Sequence, residues 1–177
     1  MNINFCKALF VAAFIGMSSS GYGQTVGHIN PFLSEYATPY GVPPFDKITI
    51  QDYKEAFLKG MQEQKEEIEA IVNQRSTPDF ENTVAAMDRS GRLLNKVSYV
   101  FYSQNSCNTN AEMQALDQEI SPLLSAHSDD ISLNPKLFAR VKRVYENKEK
   151  FNLDKEQNKL LENTYKSFVR NGANLSE

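Results

Sequence analysis

The chain has 177 residues, 41% of them apolar, 11% aromatic and 23% charged, with a net charge of −3. That length suits one domain or part of one. The mild acidity argues against a nucleic-acid or anionic-membrane partner.

Residues 1–23 have the layout of a secretory signal peptide. Lys7 is the only charged side chain before Glu35, and Ala8 to Met17 is an apolar run of ten residues. Small residues follow, and Gly21 and Gly23 fit the positions before a cleavage site, so Gln24 is the expected first mature residue. The run is short of the roughly 20 residues a membrane span needs. Export is the resulting expectation; the alternative is an apolar N-terminal helix retained on the protein. Removing 1–23 takes away Lys7 and Cys6, leaving 18 Lys and Arg against 22 Asp and Glu, a net charge of −4. Cys107 is then the only cysteine. No internal disulfide can form, and a buried or half-buried thiol is expected there rather than a nucleophile.

Residues 24–48 are expected to form an extended strap. Pro31, Pro39, Pro43 and Pro44 rule out a regular helix. Yet Phe32, Leu33, Tyr36, Tyr40, Phe45 and Ile48 are too apolar for a free linker. Packing of these side chains onto a helical body is the expectation, with a proline-rich docking peptide as the alternative.

From Thr49 the pattern is helical. Thr49 and Asp52 form a capping box for a first helix, whose apolar face carries Tyr53, Phe57, Met61, Ile68, Ile71 and Val72. Its charged side chains, including the pair Glu55 and Lys59, predict a solvated face. Thr77 and Pro78 open a second helix running from Phe80 to about Asn105, roughly 40 Å long at 1.5 Å per residue. Gly91 in its middle predicts close approach of another helix. Thr109 and Glu112 predict the cap of a third helix, which Pro122 should kink or break near 118–122. Asn134 and Pro135 start a fourth helix. Asp154 and Gln157 start a fifth, which Gly172 ends. Leu175, Ser176 and Glu177 read as the opening of one more helix. The expected class is all-α, an antiparallel helical array over 49–177, incomplete and with apolar faces left for missing helices.

Candidate chemistry is sparse. His127 and Asp130 would share a helical face, but zinc takes three or four ligands, so a capping or hydrogen-bonded histidine beside acids is expected. His28 lies in the strap. No H-E-x-x-H motif, glycine-rich phosphate loop or G-x-S-x-G elbow occurs in the sequence. Lys136, Arg140, Lys142, Arg143, Lys148 and Lys150 cluster on and after the fourth helix, interrupted by Glu146 and Glu149, and are expected on a solvated or inter-domain face. No catalytic, cofactor-binding or metal residue is assigned.

Four segments in order carry a resemblance. They are Asn30 to Leu33 continuing through Thr38 to Ile48; Asp79 to Val84 continuing through Arg89 to Asn95; Glu119 to Ile131; and Phe168 to Leu175. Together they resemble the N-terminal region of the thimet oligopeptidase family of zinc metallopeptidases, nearest in type to the bacterial peptidyl-dipeptidases (dipeptidyl carboxypeptidases). The resemblance covers residues 30–177. It implies a large helical enzyme, periplasmic, with two helical domains flanking a channel that admits short peptides. It also implies zinc held by an H-E-x-x-H helix and a further glutamate, with release of C-terminal dipeptides. None of those metal or catalytic residues lies in this chain, so the piece is expected to be inactive alone and to need the remainder of the enzyme over its apolar faces. The alternative is a self-sufficient, non-catalytic helical module that binds peptides or proteins.

Overall fold

In the computed structural model, residues 28–173 are described; the signal-peptide layout of 1–23 and the helix start at Leu175 lie outside them. Thr49 and Asp52 form the reciprocal capping box that opens α1, Ile50–Asn73. The Asp52 carboxylate accepts from the Thr49 amide and hydroxyl, each at 2.7 Å, and the Thr49 hydroxyl accepts from the Asp52 amide at 3.2 Å. The strap is tied to this cap. His28 Nε2 lies 2.7 and 2.8 Å from the two Asp52 oxygens. Asn30 donates to the Asp52 carbonyl and to Glu55. Asp52 is only 2% exposed. Burial would raise its pKa, but the Thr49 and His28 hydrogen bonds outweigh it, and the carboxyl stays below its ordinary range.

The strap packs through part of its length. Phe32 is buried against Tyr53, while Tyr36 and Ile48 pack partly on the same core. Lys96 clamps the segment, donating to the carbonyls of Phe32 at 3.2 Å and Ser34 at 2.6 Å, with its ammonium 4.0 Å from the Tyr36 ring centroid. Burial, reinforced by Tyr53 and Glu35, pushes the Tyr36 phenol up to about 12. Leu33, Tyr40 and Phe45 do not pack as expected; all three are exposed. The chain turns outward through short 3-10 turns at Pro31–Leu33 and Pro39–Gly41, and Tyr40 takes a left-handed φ of 59°.

The expected single helix from Phe80 to Asn105 is broken. α2 opens as a π-helical turn, Phe80–Ala85, with the Ala86 amide donating to the Glu81 carbonyl, and closes as an α turn, Ala86–Asp88. α3 is separate, Arg92–Cys107. Gly91 sits between them at φ +71°, the left-handed region that favours glycine. Its amide leaves the helix ladder and donates to Glu67 of α1 at 2.7 Å. The preceding Ser90 hydroxyl closes α2 by donating to the Met87 carbonyl. A 3.6-residue apolar repeat persists across this break, so periodicity alone does not reveal it.

Gly91 does lie close against α1, as expected, since a Cβ there would fall 2.4 Å from the Gln64 side chain, but the closest backbone approach is at a second glycine. A Cβ on Gly60 would lie 2.8 Å from the backbone N and Cα of Leu94, so α1 and α3 meet nearly backbone to backbone. Around that contact, Phe57, Val97 and Phe101 are fully buried. The Phe101 ring stands edge-on to Phe57 and Tyr53, with centroids 5.3 Å away in each case. α4, Ala111–Ser132, adds Met113, Leu116 and Ile120 to this core. Its N-cap is Asn110, which accepts from the Met113 amide, rather than Thr109, whose hydroxyl turns back to Asn105. α4 also runs through Pro122 without a break. Pro122 and Gln118, the residue one turn back, are both exposed, so the carbonyl freed by proline can be hydrated.

α5, Pro135–Glu146, and α6, Lys155–Arg170, pack antiparallel over the C-terminal half of α1 and over α2. Their starts match the sequence expectation: Asn134 accepts from the amides of Lys136 and Leu137, and Asp154 and Gln157 form a capping box. α6 ends in a Schellman motif. Gly172 has φ +91° and donates to Val169, while Ala173 donates to Phe168. A second core joins Ile68 and Ile71 of α1 to Leu137, Phe138, Val141 and Phe168, and a third joins Phe80 and Val84 to Val144 and Leu161. No strand occurs among the described residues. The expected all-α, antiparallel array is what forms.

Gly60→Ala should lower the unfolding free energy by about 1–3 kcal/mol, because Leu94 backbone cannot swing aside as a side chain could; urea denaturation of the purified chain measures it. Asp52 makes a second prediction. A carboxyl whose folded pKa is depressed stabilises the fold above its unfolded pKa and loses that contribution as pH falls through the folded value. The stability of wild type should therefore fall more steeply between about pH 5 and about pH 3 than that of Asp52→Asn, which no longer titrates.

Candidate functional site

A cleft of about 580 Å³ lies between α4 and α6. α1 supplies Gln64 and Ile68 to its floor, joined by Met87, Ser90 and Leu94 from either side of the Gly91 break. α4 lines one wall with Leu124, His127, Ser128 and Ile131. α6 lines the other with Asn163, Thr164, Ser167 and Phe168. None of the cleft's lining residues is Asp, Glu, Lys or Arg, in a chain that is 23% charged. A lining that mixes apolar and neutral polar side chains favours another protein surface over an ionic ligand.

His127 does not pair with an acid. Its Nε2 lies 2.8 Å from Gln64 Oε1. An amide oxygen only accepts, so this ring nitrogen carries the proton. Gln64 in turn donates to the Ser90 hydroxyl at 3.3 Å, and Ser90 donates to the Met87 carbonyl at 2.7 Å. The relay ties α4 through α1 to the end of α2. Burial lowers the His127 pKa, opposed by Asp130 and aided by Lys65. The expected hydrogen-bonded histidine is present, with an amide from a helix 63 residues away as its partner. No spacing rule links residues so far apart. The relay is not a nucleophile and base, because the Ser90 proton goes to a carbonyl and an amide stands where an imidazole would be required.

The remaining sequence candidates are dispersed. His28 is the partner of Asp52 in the α1 cap. Cys107 is exposed at the end of α3, contrary to the buried or half-buried position expected; its helix runs further than the polar stretch Asn105 to Asn108 predicts. In the basic cluster, Arg140 does not belong to a solvated face. It is 8% exposed and donates to the carbonyls of Gln74 and Ser76 and to Asn82 at 2.9 Å, pinning the α1–α2 connection to α5. Lys136, Lys142, Arg143 and Lys150 are exposed. Among the described residues, no three His, Cys, Asp or Glu side chains group as a metal site would require. They do not fit the zinc that the family resemblance implies, and no chemical step is assigned to them.

The described residues thus form an all-α array around a cleft without Asp, Glu, Lys or Arg, with its two histidines apart. The chain's relatives are peptidases. Over 148 residues the chain is 43% identical to the dipeptidyl carboxypeptidase of Salmonella typhimurium, and over 149 residues it is 42% identical to that of Escherichia coli. Each match covers 84% of this chain and 22% of the relative. Oligopeptidase A of Escherichia coli is 26% identical over 150 residues, covering 82% of this chain and 21% of that protein. No family model matches the chain. The resemblance drawn from the four segments therefore holds: the chain is homologous to peptidases named dipeptidyl carboxypeptidase and oligopeptidase A, and it spans about 22% of the length of the former.

Because burial disfavours the charged imidazole, His127 should titrate below the ordinary histidine value of about 6.5. A histidine with a depressed folded pKa stabilises the fold at higher pH and costs stability as pH falls below the unfolded value. The stability of wild type relative to His127→Gln should thus rise as pH increases through about 6.5; proton NMR of the imidazole and paired urea titrations read the two quantities.

Proposed function

We propose that this chain supplies the first helical region of an exported, periplasmic zinc peptidase of the dipeptidyl carboxypeptidase type. The 43% identity over 148 residues to the Salmonella typhimurium enzyme carries the reading. The whole enzyme hydrolyses short peptides and releases dipeptides from their C-termini. Zinc and the groups that activate water at it come from elsewhere in that polypeptide. These helices form one wall of the peptide channel and do not turn over substrate by themselves. The layout of residues 1–23 supports export, and no described helix is long and apolar enough to cross a membrane.

The test has two arms. The purified 177-residue chain is incubated with an N-blocked tripeptide, with and without added zinc, and dipeptide release is followed by chromatography. No release is expected. In the second arm, residues 28–173 replace the matching stretch of the Escherichia coli enzyme. This chimera should release the C-terminal dipeptide and lose that activity on chelation of zinc. Turnover by the chain alone would refute the claim of inactivity. A folded chimera without activity, together with zinc-independent peptide binding by the chain, would replace the enzyme reading with a non-catalytic binding module.

A further inference from the structure

We propose that the cleft between α4 and α6 is the seat of an uncharged helical face from the part of the polypeptide that its peptidase relatives carry outside the matched stretch. The inference rests on the reading above. Three observations point to this occupant. The matched stretch makes up 22% of each dipeptidyl carboxypeptidase, so most of such a polypeptide is available to cover surface left open here. The cleft's lining holds no Asp, Glu, Lys or Arg, the composition of the centre of a protein contact rather than of a solvated groove or an ionic site. Its walls are also laid out for a helix. Ser128 and Ser132 stand one turn apart on α4, and Thr164 and Ser167 follow helical spacing on α6, with Asn171 at its C-cap. Such side chains keep the walls low enough for a third backbone, while the half-buried Met87, Leu124 and Ile131 offer it apolar contact. α4 packs on α1, and α6 packs on α5 and α2, so the two walls are held independently with the seat between them.

Cysteine accessibility tests the proposal, because exposed Cys107 supplies an internal reference. Ser128→Cys and, separately, Ser167→Cys change exposed positions on opposite walls. In the 177-residue chain each new thiol should react with a maleimide at a rate near that of Cys107, as mass spectrometry of labelled peptides reads it. In the chimera described above, both should be protected by about tenfold or more relative to Cys107. Equal labelling in a chimera that folds and cleaves peptide would overturn the proposal and leave the enzyme reading intact. Protection already present in the isolated chain, with sedimentation as a dimer, would overturn it in favour of a second copy as the occupant. A chimera that fails to assemble around these helices would overturn the shared reading and the proposal with it.

Discussion

The contact of Gly60 with the backbone of Leu94 is the constraint on which the arrangement depends. α1 can lie against α3 only because no Cβ stands at position 60. With the two backbones so close, the Phe101 ring meets those of Tyr53 and Phe57 edge-on, and Val97 is buried in the same core. The contact falls in the first turn of α3, at Leu94, three residues after the left-handed turn at Gly91. That turn lets the chain leave α2, which packs with α5 and α6, and enter α3, which packs with the strap and α4. α1 thereby serves both groups of helices, its N-terminal half in one core and its C-terminal half in another.

The cleft follows from this division. The strap, α3 and α4 pack around the first half of α1, whereas α2, α5 and α6 pack around the second half. α4 and α6 are the outer members of the two groups, so they face one another across a gap. The His127–Gln64–Ser90 relay crosses the floor of that gap and satisfies polar groups that burial would otherwise leave at a cost of about 1–3 kcal/mol each. Its groups hold helices in register; none is placed for nucleophilic or metal chemistry.

Buried polar ties complete the framework. Arg140 fastens the loop after α1, and Asp52 fastens the strap through His28 and Asn30. Lys96 clamps two strap carbonyls from α3. Each tie joins segments 22 or more residues apart, and each anchors an irregular stretch that has no helix ladder of its own.

Helix starts were legible in the sequence because capping is a local interaction. Thr49 with Asp52, Asn134 with Pro135, and Asp154 with Gln157 lie within three residues of each other and act as read. Gly172 ended its helix for the same reason. The peptidase kinship was also legible, since it is carried by segment identity. What tertiary structure decided involved residues far apart. Gly91 became a break because Glu67 takes its amide, whereas Gly60 became the point of contact because Leu94 lies over it. Pro122 remained inside a helix because water can reach the carbonyl it frees. Arg140 left the solvated face because three acceptors around the α1–α2 connection converge on it. Local chemistry set the capped helix ends; the break at Gly91, which faces meet, and the cleft left between them depended on packing across the chain.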